Sequence, residues 1–174
     1  LARDREGFLW VANWDGLARY DGVGFRTWRH DPDDASSLPG NIVQALHIDA
    51  QDRIWVATEG GGLSMLDTRR EGFRHFRKAT HPQMLSDDVF AITSRGDTIW
   101  FGSFGGGLNR LAADGVLTHF AASETDAASL PSDDILSLAF DAKGRLWIGT
   151  LAGLAVHDGN SFKRVSVPPT EAAQ

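Results

Sequence analysis

The chain has 174 residues, a net charge of −6, a pI of about 5.4 and no cysteine. That length allows one domain with a sizeable core, while the acidic balance and the lack of any Lys/Arg block argue against a nucleic-acid footprint or a polybasic membrane patch. Without cysteine neither a disulfide nor a Cys-ligated zinc site can form, and no apolar run approaches the length of a membrane span.

In chain order, a short fragment at Leu1–Asp4 is followed by "FLWVAN" around Trp10, "DGLARYD" with the pair Gly16–Leu17, and two apolar residues three apart, Phe25 and Trp28. "LPGNIVQAL" then opens a second unit, whose segments Val43–Asp49, Arg53–Thr58, Gly62–Asp67 and Phe73–Lys78 are each predicted as a strand. Val, Ile, Thr and aromatic residues dominate them, and Asp/Gly-rich tight turns separate the first two. The third unit repeats the order with "MLSDDVFAI", "TIWFGS", "GGLNRLA" and the pair Leu117/Phe120. The fourth has "LPSDDILSL", "RLWIGT", "AGLAVHD" and Phe162/Val165. "SVPPTEAAQ" closes the chain and reads as a linker or frayed tail.

The tryptophans of the recurring word, Trp10, Trp55, Trp100 and Trp147, lie 45, 45 and 47 residues apart. Four words recurring in one order at one period define a repeat protein. The units run approximately over 1–41, 42–87, 88–133 and 134–167, with 168–174 as the tail. The first inner strand starts halfway, because "LARD" aligns with Leu46–Asp49.

Four strands per unit at this period predict an all-β fold, a β-propeller of four-stranded antiparallel blades. The inner strands "VQALHID" and "ILSLAFD" set small residues (Ala45, Ser137, Ala139) against large ones (Leu46, Ile48, Leu138, Phe140), as expected of sheets covered on both faces. About four blades are expected, as part of a larger ring. A self-closed ring of four is the rival.

The glycine run in "RIWVATEGGGLSMLD" raises the possibility of a phosphate cradle. Its recurrence in every unit, and the lack of the Lys-Ser/Thr pair that would hold phosphate and magnesium, point instead to a structural turn.

"DAKGRLWIGTLAGLAVHDGNSFKRV", preceded by "LPSDDILSLAF", resembles the two-component regulator propeller repeat, and the resemblance extends from Leu1 to about Val167. Asn13 and Ser103 depart from it in place of Thr, and "RGD" at Arg95–Asp97 shortens one hairpin. The resemblance implies a larger ring of seven blades, and an extracytoplasmic, periplasmic sensor segment of a bacterial receptor. Its output domain would be a histidine kinase or a diguanylate cyclase, reached through a transmembrane helix outside this chain.

On the rim shared by the turns between second and third strands, one position changes chemistry in every unit: Trp14, Glu59, Phe104 and Leu151. An aromatic at a channel mouth can stack on a sugar or another flat ligand, or can fill the hub. Asn41, Asp87 and Asp133 occupy one equivalent position before the inner strand. They suit a turn-holding role, with a ring of carboxylates around a cation as the alternative. Trp14, Glu59, Phe104, Asn41, Asp87 and Asp133 are therefore the candidate ligand residues.

No catalytic residue, metal or cofactor is expected, and the partner is an unidentified small molecule or protein. Exposed blade faces predict self-association of the chain, or a dimer of the full receptor. The rival functions are a protein-binding scaffold and a propeller lyase or hydrolase using rim carboxylates.

Overall fold

A computed structural model describes residues 1–67 and 69–166, and strands make up all of the regular structure among them. The first blade comprises β1 (Ala2–Arg3), β2 (Leu9–Asn13), β3 (Gly16–Tyr20) and β4 (Phe25–Trp28). The second comprises β5 (Val43–Ile48), β6 (Ile54–Thr58), β7 (Gly62–Leu66) and β8 (Phe73–Phe76). The third blade holds β9 (Val89–Arg95), β10 (Thr98–Ser103), β11 (Leu108–Leu111) and β12 (Leu117–Phe120). The fourth holds β13 (Ile135–Phe140), β14 (Leu146–Thr150), β15 (Gly153–His157) and β16 (Phe162–Val165). Each blade is one antiparallel meander in sequence order. These are the blades of a β-propeller. The tail expected at 168–174 lies outside the described residues.

The first strands of consecutive blades, β1, β5, β9 and β13, lie side by side, so the blades converge along that edge. Strand period decides what each residue touches. In β6, Ile54 and Val56 face the first blade, whereas Trp55 and Ala57 face the third. The outer strands explain the apolar pair at a spacing of three, because residues i and i+3 of a strand point to opposite faces. Phe73 packs against the first blade and Phe76 against the third. The second and third blades thus each supply apolar side chains to two interfaces, as the doubly apolar inner strand predicted.

Three clusters fill the three junctions. Loop residues Leu38, Met84 and Leu130 plug them, each 1% exposed or less. Fully burying an apolar side chain of this size contributes about 1.5–3 kcal/mol.

The two outermost faces are open. On the leading face of blade one, Leu9 is 39% and Phe25 66% exposed, although their equivalents Ile54 and Phe73 are buried. On the trailing face of blade four, Trp147 is only half-buried, unlike Trp10, Trp55 and Trp100. Of the four recurring tryptophans, three are therefore core residues. Trp147 differs because no further blade among the described residues covers it.

Strand ends fall a residue or two short of the predicted segments. Asp49 and Arg53 leave the β5–β6 ladder to bond one another, with the Arg53 N–H donating to the Asp49 Oδ1 at 2.9 Å.

Candidate functional site

The rim turns are built so that their backbone is already occupied. In the second blade the Gly60 N–H donates to the Asp88 Oδ1 at 2.9 Å, Gly61 to the Thr58 carbonyl at 3.0 Å, and Gly62 to the Asp87 carbonyl at 2.8 Å. Three consecutive glycine N–H groups are thus committed to protein acceptors, and none is left to cradle phosphate. Gly62 and Gly107 have φ of +72° and +65°, and a Cβ on either would collide with the carbonyl oxygen of Phe76 or Phe120. Glycine stands there for backbone geometry and close approach, as the recurrence of the motif predicted.

The changing position beside these glycines is pinned by its main chain and free in its side chain. Glu59, Phe104 and Leu151 donate their N–H to the carbonyls of Ile42, Asp88 and Asp134 at 3.0, 2.8 and 3.1 Å. Phe104 is 45% exposed and leans on Phe90 of β9, with ring centroids 6.1 Å apart. Leu151 is 58% and Trp14 85% exposed. Trp14 sits on the shorter turn "NWDG", where the Asp15 N–H donates to the Asn13 Oδ1 and Asp15 pairs with Arg29 at 2.5 Å. The aromatics do not fill a hub within this chain; they project from its surface.

The other three candidates hold the chain. The Oδ1 of Asn41 accepts the His30 N–H at 2.8 Å, that of Asp87 the Lys78 N–H at 2.8 Å, and that of Asp133 the Ala122 N–H at 2.6 Å. Each thereby fastens the link leaving one blade to the inner strand of the next. No cluster of three or more His, Cys, Asp or Glu suited to a metal occurs among the described residues.

Sequence reasoning passed over their neighbours. Asp88 and Asp134 bond the glycine turn of the preceding blade through the Gly60 and Gly105 N–H groups at 2.9 and 2.8 Å, stitching blades two to three and three to four. At the first junction the equivalent residue is Ile42, opposite the shorter Trp14 turn. The paired "DD" words carried this signal, which becomes visible only when blades are set side by side.

A second feature sits at the opposite end of the sheets, in the hairpins between first and second strands. Asp4, Asp49 and Asp141 accept the indole N–H of Trp10, Trp55 and Trp147 at 2.8, 2.8 and 2.9 Å. Asp49 and Asp141 also pair with Arg53 and Arg145 at 2.5 and 2.7 Å. Burial opposes ionisation of Asp49, but the Trp55 and Arg53 hydrogen bonds outweigh it and hold its pKa low. At Asp141 the Trp147 bond leads the downward shift.

The Asp49 and Asp141 hairpins, with the loops before them, lie in the segments that match a known family. Residues 37–60 and 129–152 match the family described as two component regulator propeller. The chain carries two component regulator propeller repeats. Each matched regulator propeller segment contains the loop plug, the inner strand, the Asp hairpin and the Trp strand.

In structure the chain is similar to the extracellular domain assigned to a hybrid two component system of B. thetaiotaomicron. The TM-score is 0.75 and the identity 29%, over 88% of this chain and 21% of that one. A second such domain from the same organism aligns at TM-score 0.75 and 22% identity, over 99% of this chain and 22% of that one, and shows the shared fold. A gluconolactonase of Xanthomonas campestris aligns at TM-score 0.60 and 16% identity, over 96% of this chain and 61% of that one, again a likeness of fold alone. The chain spans about a fifth of the length of the two extracellular domains. No curated protein matches it significantly.

Proposed function

We propose that this regulator propeller is a non-catalytic, ligand-sensing segment of the extracytoplasmic, periplasmic part of a bacterial signal-transduction receptor. Its similarity to extracellular domains of two component systems supports the sensory role. The observation that carries the binding surface is the rim position itself. At Glu59, Phe104 and Leu151 its backbone N–H is held by a carbonyl before the next inner strand, while its side chain, Trp14, Glu59, Phe104 or Leu151, is exposed in every blade. Folding gains little from a tryptophan 85% exposed, and an aromatic ring held there offers a flat apolar face beside polar groups. That chemistry suits sugars and other flat, partly polar ligands. Ligand contact would bias the receptor between two pre-existing states, which is all that signalling requires.

The test is a tryptophan-fluorescence screen of neutral oligosaccharides and aromatic metabolites, repeated with Trp14→Ala and Phe104→Ala. A saturable response weakened in either variant supports the reading. A response unchanged in both removes the rim from it, and turnover of the bound molecule would replace a sensor with an enzyme.

A further inference from the structure

The third blade breaks the hairpin rule of the other three. Arg95 stands where they place Asp4, Asp49 and Asp141, and Thr98 stands where two of them place Arg53 and Arg145. Among the described residues the Trp100 indole N–H meets no acceptor, whereas its three equivalents each donate to a carboxylate.

Beside Trp100 a cleft of about 200 Å³ opens between blades three and four. Arg95 and Arg110 line it, with Phe140, His157 and Asp158. The Arg110 guanidinium carbon lies 5.8 Å from the Trp100 ring centroid; its Nε is buried without an acceptor, and a terminal nitrogen donates to the Thr118 hydroxyl at 3.2 Å. Arg95 crosses to the fourth blade, donating to the Gly144 carbonyl and lying 5.9 Å from the Phe140 centroid. His157 is 7% exposed, its ring centroid lies 5.4 Å from that of Trp100 at a tilt of 54°, and its Nδ1 accepts the Gly159 N–H at 3.3 Å. Neutral, this imidazole carries its proton on Nε2.

The carboxylate at the cleft is already engaged. The Oδ1 of Asp158 accepts the Asn160 and Ser161 N–H groups at 3.1 Å each, and its Oδ2 lies 3.9 Å from the Lys163 ammonium. The cleft therefore gathers two guanidinium groups and an unpartnered indole N–H where three sister hairpins hold a carboxylate. Planar guanidinium donors match a carboxylate more closely than a spherical anion. The volume is below the roughly 300–1,000 Å³ of sites for drug-sized ligands, so the bound group is small.

We propose that this cleft binds a small carboxylate from solution, which takes the position of the missing hairpin aspartate against Trp100, Arg95 and Arg110. The site is distinct from the rim and does not depend on it.

The experiment follows the indole N–H resonances of the ¹⁵N-labelled chain during titration with sodium acetate, against sodium chloride at equal ionic strength. Trp100→Phe identifies the Trp100 resonance. A saturable shift confined to Trp100, with millimolar affinity, is expected. Arg110→Gln should weaken it about tenfold or more, the effect of losing a charge-assisted hydrogen bond. Arg95→Asp restores the carboxylate within the hairpin and should abolish the acetate response while leaving the other indole resonances in place. If that variant does not fold, Arg110→Gln carries the test. The proposal is overturned by an absent or chloride-matched shift, by tighter binding of sulfate than of acetate, or by an acetate response that survives Arg95→Asp or Arg110→Gln unchanged.

Discussion

Replacing Asp49 by Ala should destabilise this propeller more than any equivalent change at the surface. The Asp49 side chain is fully buried and accepts the Trp55 indole N–H at 2.8 Å, the Arg53 and Gln51 N–H groups at 2.9 Å each, and the Arg53 guanidinium at 2.5 Å. Alanine would leave the Trp55 and Arg53 donors without an acceptor. Each buried donor so orphaned costs about 1–3 kcal/mol, and the Arg53 side chain, 28% exposed, recovers part of its interaction from water, which sets the loss at ~3 kcal/mol. For a domain of this size that is a fall in Tm of about 6–12 °C. Thermal unfolding followed by circular dichroism at pH 7 measures it. Asp141→Ala is the internal control: its hairpin is more exposed, with Arg145 41% and Asp141 22% accessible, and the fall should be smaller. If Asp49→Ala moved the Tm by no more than Asp141→Ala, the carboxylate–indole lock would not be a determinant of blade stability.

The same carboxylates set an acid limit. Their folded pKa values are depressed, so their contribution is complete above the unfolded value of about 3.9 and is lost as pH falls through the lower folded values. Urea midpoints should therefore hold steady from pH 7 to 5 and drop below pH 4, less steeply in Asp49→Asn. Gly105 and Gly107 share φ near +64°, but only at Gly107 would a Cβ meet the Phe120 carbonyl. Gly105→Ala should cost about 1–2 kcal/mol for left-handed backbone and Gly107→Ala clearly more, so equal urea midpoints would remove the close-approach argument. We propose that the open faces carrying Phe25 and Trp147 drive self-association, and light scattering should show Phe25→Asp shifting the chain toward monomer with little loss of Tm, whereas Phe73→Asp unfolds it.

The blades were legible because each is a local object. Strand alternation, tight turns and a 45-residue period are properties of neighbouring residues, and the spacing of Phe73 and Phe76 already encodes a sheet covered on both faces. The turn role of Gly62 was legible for the same reason, since a phosphate loop has no cause to recur with every blade.

What joins one blade to the next was not legible in that way. Asp87 and Asp88 are adjacent and chemically identical, yet one bonds the link behind it and the other the rim turn of the preceding blade. Only their positions between two sheets distinguish them. The substitution of Arg95 for an aspartate was visible as a shortened hairpin. Its consequence, a Trp100 indole N–H and two guanidinium groups facing a cleft, required the fourth blade to supply the other wall. The sequence by itself determined the repeating unit and its folding pattern, because those follow from short-range periodicity. The tertiary structure alone decided which polar groups meet across blades and which are left without partners, because those distances arise only when residues some 45 positions apart are packed face to face.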